Sequence, residues 1–347
     1  MAGRQGIITL HGAGHGEGRR VAWFGREYFA GSLAALGWRP HIHSYHDPRV
    51  FTWEDVVAIC GGPPDVLALG DRSHPPPFMG LQNYPCLTVF YSVDSHIHSW
   101  HPLYAQAFDA CLVGLKDDLP RFVQGRLTPE KVLWSPAYAL GPEQMRWTPA
   151  EPEWDVLFAG TVDPETTPGR MAFLARLAEE LPGLAVRRGD FTELFPRGRV
   201  ILNVAERGDL NFRVFEALAM GKPLLTPRTG NGLLDFFEDG VDLLTYSPND
   251  PADCATKARW LLDHPAEAQT MARSGQAKVD SAHRASHRAK VCGDFLTARL
   301  AAGNRERLDM AKRIHATVLR PLHLHWAAVS TNPAHKAAYL RDAREGR

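Results

Sequence analysis

The sequence predicts an α/β protein made of two doubly wound, Rossmann-like domains in tandem. Three observations carry this expectation. Short apolar runs alternate with stretches of helical spacing along most of the chain, the pattern of a mostly parallel sheet covered on both faces. A polar segment with three prolines, GPEQMRWTPAEPE at residues 141–153, interrupts the alternation near the middle. The chain has 347 residues, the length of two domains at roughly 100–200 residues each. The expected domains are residues 1–145 and 153–303, followed by a helical tail over 304–347.

In the first domain the expected strands are residues 6–10, 65–69, 86–91, 110–114 and 131–134. Residues 19–36 read as a helix, with Val21, Phe24, Tyr28, Ser32 and Leu36 on one face. Further helices are expected at 53–60 and 103–108. In the second domain the expected strands are 154–159, 184–188, 199–204, 224–226 and 242–246. Helices are expected at 168–181 and 212–220, the latter stopped by Gly221 and Pro223. From Pro251 onward helices dominate. Ligands of such sheets sit beyond the carboxyl ends of the strands, so the residues just after each strand carry the functional information.

Composition narrows the partners. Hydrophobic residues make up 44%, enough for ordinary cores, and 39 basic side chains balance 39 acidic ones. A neutral chain without a basic block gives no reason to expect nucleic acid. No apolar run approaches the roughly 18 residues of a membrane span, and the polar, glycine-rich start does not read as a signal peptide. The five cysteines are widely spaced without a CxxC pair, which suits reduced thiols in a cytoplasmic protein.

The most informative stretch is GDLNFRVFEALAMGKPLLT, residues 208–226. A polar loop enters a short helix, whose first backbone N–H groups and positive dipole end suit a diphosphate. Glu216 stands among apolar neighbours on that helix, and a buried carboxylate needs a partner. Arg213 lies one turn back, so an ordinary ion pair within the helix is one reading. The other has Glu216 accepting from two ribose hydroxyls and Arg213 turned toward phosphate. TPRTGNGL (226–233), FEDG (237–240) and LTY (244–246) follow in order. The glycines flanking Asn231, Gly230 and Gly232, suit either a tight turn or close backbone approach to a ligand.

This stretch resembles the C-terminal motif of group 1 glycosyltransferases, most closely their CgeB-like (spore maturation protein) branch. A weaker resemblance continues through HPAEAQTMARSGQAKV (264–279) and back to Val93–His96 and Phe108–Ala110. The resemblance implies the GT-B fold, with two Rossmann-like domains facing a cleft. It implies a nucleoside diphosphate sugar as co-substrate, and transfer to an acceptor (glycan, protein or small molecule) held by the first domain. In the family the helix glutamate matched by Glu216 binds the donor ribose. The broader family carries a second glutamate upstream, at the position of Gly208, with Glu206 and Asp209 beside it as possible substitutes.

The expected donor site is therefore Gly160, Thr161, Asn211, Arg213, Glu216, Gly230, Asn231 and Gly232, with Arg170 and Lys222 as secondary cations. Catalysis is expected at Asp94 and His96, which follow the strand at 86–91 and could activate an acceptor hydroxyl. The loop HGAGHGEG (11–18) lacks the spacing of a dinucleotide fingerprint, and its Gly14 and His15 are expected on the acceptor side. No metal or cofactor is expected, since arginine and helix dipoles can hold the departing diphosphate. Three alternatives stand: a metal-dependent hydrolase using Asp94, His96, His98 and His101; an inactive nucleotide-sugar-binding protein; and an epimerase of the same architecture. In the tail, Leu308, Ala311, Ile314, His315 and Val318 share a stripe expected to pack on the first domain.

Overall fold

A computed structural model describes residues 18–346. The expected strand at 6–10, and Gly14 and His15, lie outside them. The chain forms two compact units, one of residues up to Ser135 together with Arg288–Arg347, the other Pro136–His287.

The first unit holds six parallel strands: β1 (Arg20–Gly25), β2 (Arg39–His43), β3 (Val66–Gly70), β4 (Leu87–Ser92), β5 (Ala110–Val113) and β6 (Val132–Trp134). Their order is β2-β1-β3-β4-β5-β6. The chain leaves β1 toward β2 and returns on the other side as β3, which makes β1/β3 the topological switch point. Residues 19–36 are therefore not one helix. Val21, Ala22, Trp23 and Phe24 are all buried, a continuous apolar run covered on both faces as in a central parallel strand. Only Ala30–Leu36 is helical, as a 3-10 segment. Strand β2 escaped the reading because RPHIH carries a proline and two histidines where an edge strand can tolerate them.

The second unit holds five parallel strands: β7 (Trp154–Ala159), β8 (Leu184–Arg187), β9 (Gly198–Leu202), β10 (Leu224–Pro227) and β11 (Leu244–Tyr246). Their order is β11-β10-β9-β7-β8, with the switch point between β7 and β9. One face of this sheet is covered by the helix Phe212–Ala219, through Val214, Phe215 and Leu218. Helices Pro168–Glu180 and Pro251–Asp263 cover the other, through Leu174, Leu177, Cys254 and Ala258.

The proline-containing segment at 141–153 is no free linker. Met145 is buried in the core of the second unit with Ala137 and Ala139, and Ala139 pairs with Arg284. The crossings between the units thus fall after Ser135 and after His287, whereas the sequence suggested the linker and residue 303. All five cysteines are buried thiols. Among the described residues no helix is long and apolar enough to cross a membrane.

The tail is part of the first unit. Ile314, Val318, Leu319 and Leu322 join the core formed by Phe78, Leu81, Tyr104 and Phe108. The expected stripe is displaced at its start: Leu308 is exposed and Arg307 is fully buried instead. The Arg307 guanidinium donates from Nε to Asp109 (3.0 Å), from Nη1 to the carbonyls of Leu81 and Gln82, and from Nη2 to those of Tyr84 and Cys86. All five of its N–H groups are used. Asp109 also accepts from the Thr88 amide at 2.8 Å. Farther on, the buried Asp342 bridges the His323 ring (2.6 Å) and the Gly80 amide (2.6 Å). The segment joining β3 to β4 therefore has its carbonyls satisfied by a residue more than two hundred positions away in sequence.

Replacing Arg307 with Met should leave Asp109 without its buried charge partner and remove a donor from four carbonyls. The expected loss is about 3–5 kcal/mol, the usual cost of breaking a buried ion pair from one side. Denaturant unfolding of the full chain checks this. A loss below about 1 kcal/mol would mean that water replaces the guanidinium without penalty.

Candidate functional site

The second sheet assembles its polar residues at the carboxyl ends of β7 and β9. The helix Phe212–Ala219 starts beside this edge, and its second residue, Arg213, reaches back across it. Arg213 donates from Nε to the carbonyl of Ala159, the last residue of β7, at 2.9 Å. It donates from Nη1 to the Asn203 side chain, just after β9, at 2.8 Å. The guanidinium lies over the Phe158 ring, 4.6 Å from its centroid. Among the described residues no protein group accepts from its remaining nitrogen, Nη2, which lies against Gly160. A Cβ at Gly160 would overlap that nitrogen, so this glycine is explained by the arginine beside it.

Arg170 stands on the same edge. Its Cζ is 5.7 Å from the Phe158 centroid, and its Nη1 donates to the Thr161 carbonyl at 2.9 Å. Burial pushes the Arg213 guanidinium down to about 10, with Arg170 acting in the same direction and Glu216 and Asp209 against it. Arg213 therefore stays charged at neutral pH. Two cations held this close form a strong local field for an anion.

Asn211 donates to the Asn203 oxygen at 3.1 Å. Glu216 is half-buried one turn along the helix, near enough for its charge to act on Arg213. The Gly230–Gly232 turn contains two left-handed residues, Asn231 (φ 57°) and Gly232 (φ 88°). The Asn231 side chain donates to the Gly208 carbonyl at 2.9 Å, tying this turn to the one before the helix. Gly208 is itself left-handed (φ 76°). Its conformation suits glycine, although a side chain there would meet nothing within 4 Å. Lys222 does not join the group. It precedes β10 and donates to the Pro196 carbonyl, before β9, at the opposite edge of the sheet.

In the first unit, Asp94 and His96 follow β4, as expected. The organiser of this edge is Asp71, buried directly after β3. Its carboxylate accepts from the backbone amides of Ser73 (2.7 Å), Val93 (3.2 Å) and Asp94 (3.0 Å). Ser73 in turn donates its hydroxyl to the Asp94 carboxylate at 2.9 Å. The histidine cluster does not converge on a common point. His101 is fully buried, meets the Ser92 hydroxyl at 2.8 Å through Nδ1 and packs edge-on against Phe90. Among the described residues no three His, Cys, Asp or Glu side chains are placed to hold a metal ion. The arrangement that the hydrolase alternative needs is therefore not formed by Asp94, His96, His98 and His101.

The sequence reading passed over Asn203 and Asp71. Both stand immediately after a strand's apolar run, VIL before Asn203 and VLALG before Asp71, the position where a parallel sheet presents ligand groups. That rule, applied to every strand, would have found them.

Burial pushes the His101 imidazole down to about 3, with His98 adding to the effect. The native state thus refuses a proton that the unfolded chain binds below its ordinary 6.5. This contribution to stability is complete above that pH and declines as the pH falls, by about 2 kcal/mol at pH 5. Unfolding free energies of the wild type and His101→Asn, measured at pH 7 and pH 5, should converge by about that amount. Parallel pH profiles would show that His101 titrates normally in the folded protein.

Residues 154–292 match the family of glycosyl transferase-like proteins. No curated protein matches the chain by sequence. Among solved structures, the chain is similar to a glycosyltransferase from Rickettsia africae ESF-5, at 8% identity over 82% of this chain and 99% of that one, with a TM-score of 0.56. Anabaena HepE (Alr3699), solved with UDP-glucose, aligns at 12% identity over 80% and 99%, with a TM-score of 0.57. Sucrose-phosphate synthase from Thermosynechococcus elongatus aligns at 13% over 82% and 100%, with a TM-score of 0.54. At such identities the likeness concerns the fold, which is GT-B. The chain thus has the GT-B fold, and its residues 154–292 match the glycosyl transferase-like family.

Proposed function

We propose that this protein transfers a glycosyl group from a nucleoside diphosphate sugar to an acceptor hydroxyl or other nucleophile, in the manner of the CgeB-like group 1 enzymes that its motif resembles. The observation that carries the reading is Arg213: a cation fixed at the switch point of the second sheet, with Nη2 directed at no protein acceptor among the described residues. Ligands of doubly wound sheets bind at that point, and a guanidinium there suits phosphate oxygens. The HepE structures hold UDP-glucose and UDP. UDP-sugars are therefore the first donors to try.

In this reading Arg213, supported by Arg170, holds the diphosphate, and Glu216 accepts from the ribose hydroxyls. Asn211 and the turns at Gly160–Thr161 and Gly230–Asn231–Gly232 shape the pocket for the rest of the donor. During transfer the bond from the anomeric carbon to the diphosphate oxygen breaks, and negative charge grows on the departing diphosphate. Positioned guanidinium N–H groups stabilise that charge without reorganising, which replaces the work of a metal ion. The acceptor oxygen forms the new bond and gives its proton to Asp94 or His96. Asp94 suits that task because Asp71 and Ser73 hold its backbone and carboxylate.

Titration of UDP into wild type, Arg213→Gln and Glu216→Gln tests the donor site. Arg213→Gln should weaken UDP by about 10- to 100-fold, the worth of a charge-assisted hydrogen bond. Glu216→Gln should weaken it about tenfold, because one amide oxygen replaces a carboxylate that can accept from both hydroxyls. EDTA should change neither the affinity nor transfer from the UDP-sugar. Unchanged binding in both variants would remove the donor site from this edge. Donor binding without any transfer or hydrolysis would instead favour an inactive binding protein.

A further inference from the structure

The arginine at this site depends on a residue outside the motif. Asn203 is buried, 1% exposed, and all its polar groups are engaged. Its side-chain oxygen accepts from Arg213 Nη1 (2.8 Å) and Asn211 Nδ2 (3.1 Å). Its Nδ2 donates to the Thr226 hydroxyl of β10 at 3.0 Å. Its backbone carbonyl accepts from the Tyr246 hydroxyl of β11 at 2.8 Å, and its amide donates to the Leu225 carbonyl at 2.8 Å. The Asn203 side chain thus ties β10 to the start of the helix that carries Arg213, and its backbone carbonyl adds β11.

The chemistry of that side chain matters as much as its position. The two groups that hold Arg213, the Ala159 carbonyl and the Asn203 amide oxygen, are neutral. They fix the direction of the guanidinium without cancelling its charge. Arg307 shows the opposite arrangement: its Nε pairs with Asp109 and its other donors are saturated by carbonyls, which leaves a cation with nothing to offer a ligand. Asp209 and Glu216 act on Arg213 as neighbouring charges, so a further carboxylate in direct contact would weigh heavily on it.

We infer that Asn203 is a positioning residue that orients Arg213 toward the donor diphosphate while sparing its charge, and that asparagine is required there because aspartate would neutralise the arginine. The inference rests on the proposed donor site, since it assumes that Arg213 faces phosphate.

Asn203→Asp separates charge from shape. The two side chains are nearly the same size, a carboxylate keeps the acceptor for Arg213 and Asn211, and the Thr226 hydroxyl can turn to donate to it. UDP and uridine are titrated into wild type, Arg213→Gln and Asn203→Asp, at low and high salt. UDP affinity should fall on the order of 10- to 100-fold in Asn203→Asp, with a flatter salt dependence, because an ion pair now competes with the phosphate. Uridine, which lacks phosphate, should bind as it does to wild type. If Arg213→Gln weakens UDP and Asn203→Asp does not, the inference is wrong and the donor site stands. If Arg213→Gln leaves UDP unaffected, the donor-site reading fails and takes the inference with it. Should Asn203→Asp not fold, Asn203→Ser carries the test: it withdraws the acceptor without adding charge. With the serine hydroxyl, itself an acceptor, too short to reach Arg213, UDP binding should weaken and uridine binding should not, and unchanged UDP binding would overturn the inference.

Discussion

A guanidinium taken out of water must find acceptors for its five N–H groups, and each unit of this protein is organised around one such demand. In the first, Arg307 meets it completely, with one carboxylate and four carbonyls. In the second, Arg213 meets it in part, with a strand-end carbonyl, an amide and an aromatic face. The difference separates a structural cation from one that can serve a ligand. A saturated guanidinium contributes to the fold; an incompletely saturated one, held in a fixed direction, is a preorganised binding group.

The parallel topology explains where these demands arise. A sheet that starts in its middle and winds outward both ways leaves a gap between the first crossovers, and no helix covers the strand ends there. In the second sheet the gap lies between β7 and β9, and Arg213 bridges it from Ala159 to Asn203. In the first sheet it lies between β1 and β3, and Asp71 stands at its edge, collecting backbone amides from the loop after β4. One gap is organised by a cation and the other by an anion. This suits a donor diphosphate at the former and a proton-accepting acceptor site at the latter, the division of labour that the proposed reaction needs.

Much of this was legible in the sequence, for identifiable reasons. The strands of the second unit were readable because each is a short apolar run bounded by glycine, proline or charge, and the helix bearing Arg213 announced its end with Gly221 and Pro223. Arg213, Asn211, Gly160 and Thr161 are brought to one edge, although Gly160 makes room for the arginine, a reason that spacing cannot reveal. Strand β1 was misread because VAWF carries apolar residues at every position, which satisfies helical spacing as well as a doubly covered strand. Arg307 was not singled out, because a charge beside an amphipathic stripe is ordinarily solvent-facing. Its partners lie on the segment at 81–86 and at Asp109, remote in sequence, and local periodicity contains no trace of them. The same remoteness hid Asn203 and Asp71, each a single polar residue whose importance comes from several chain segments meeting there.

In the proposed reaction Arg213 Nη2 anchors the donor diphosphate. A crystal structure of the full chain with UDP or an unreactive UDP-sugar tests it most directly. The expected result is a phosphate oxygen within hydrogen-bond distance of Arg213 Nη2, about 2.7–2.9 Å for a charge-assisted contact, with the ribose hydroxyls on Glu216. A diphosphate bound elsewhere, with Arg213 still held by Ala159 and Asn203 and facing only solvent, would contradict it.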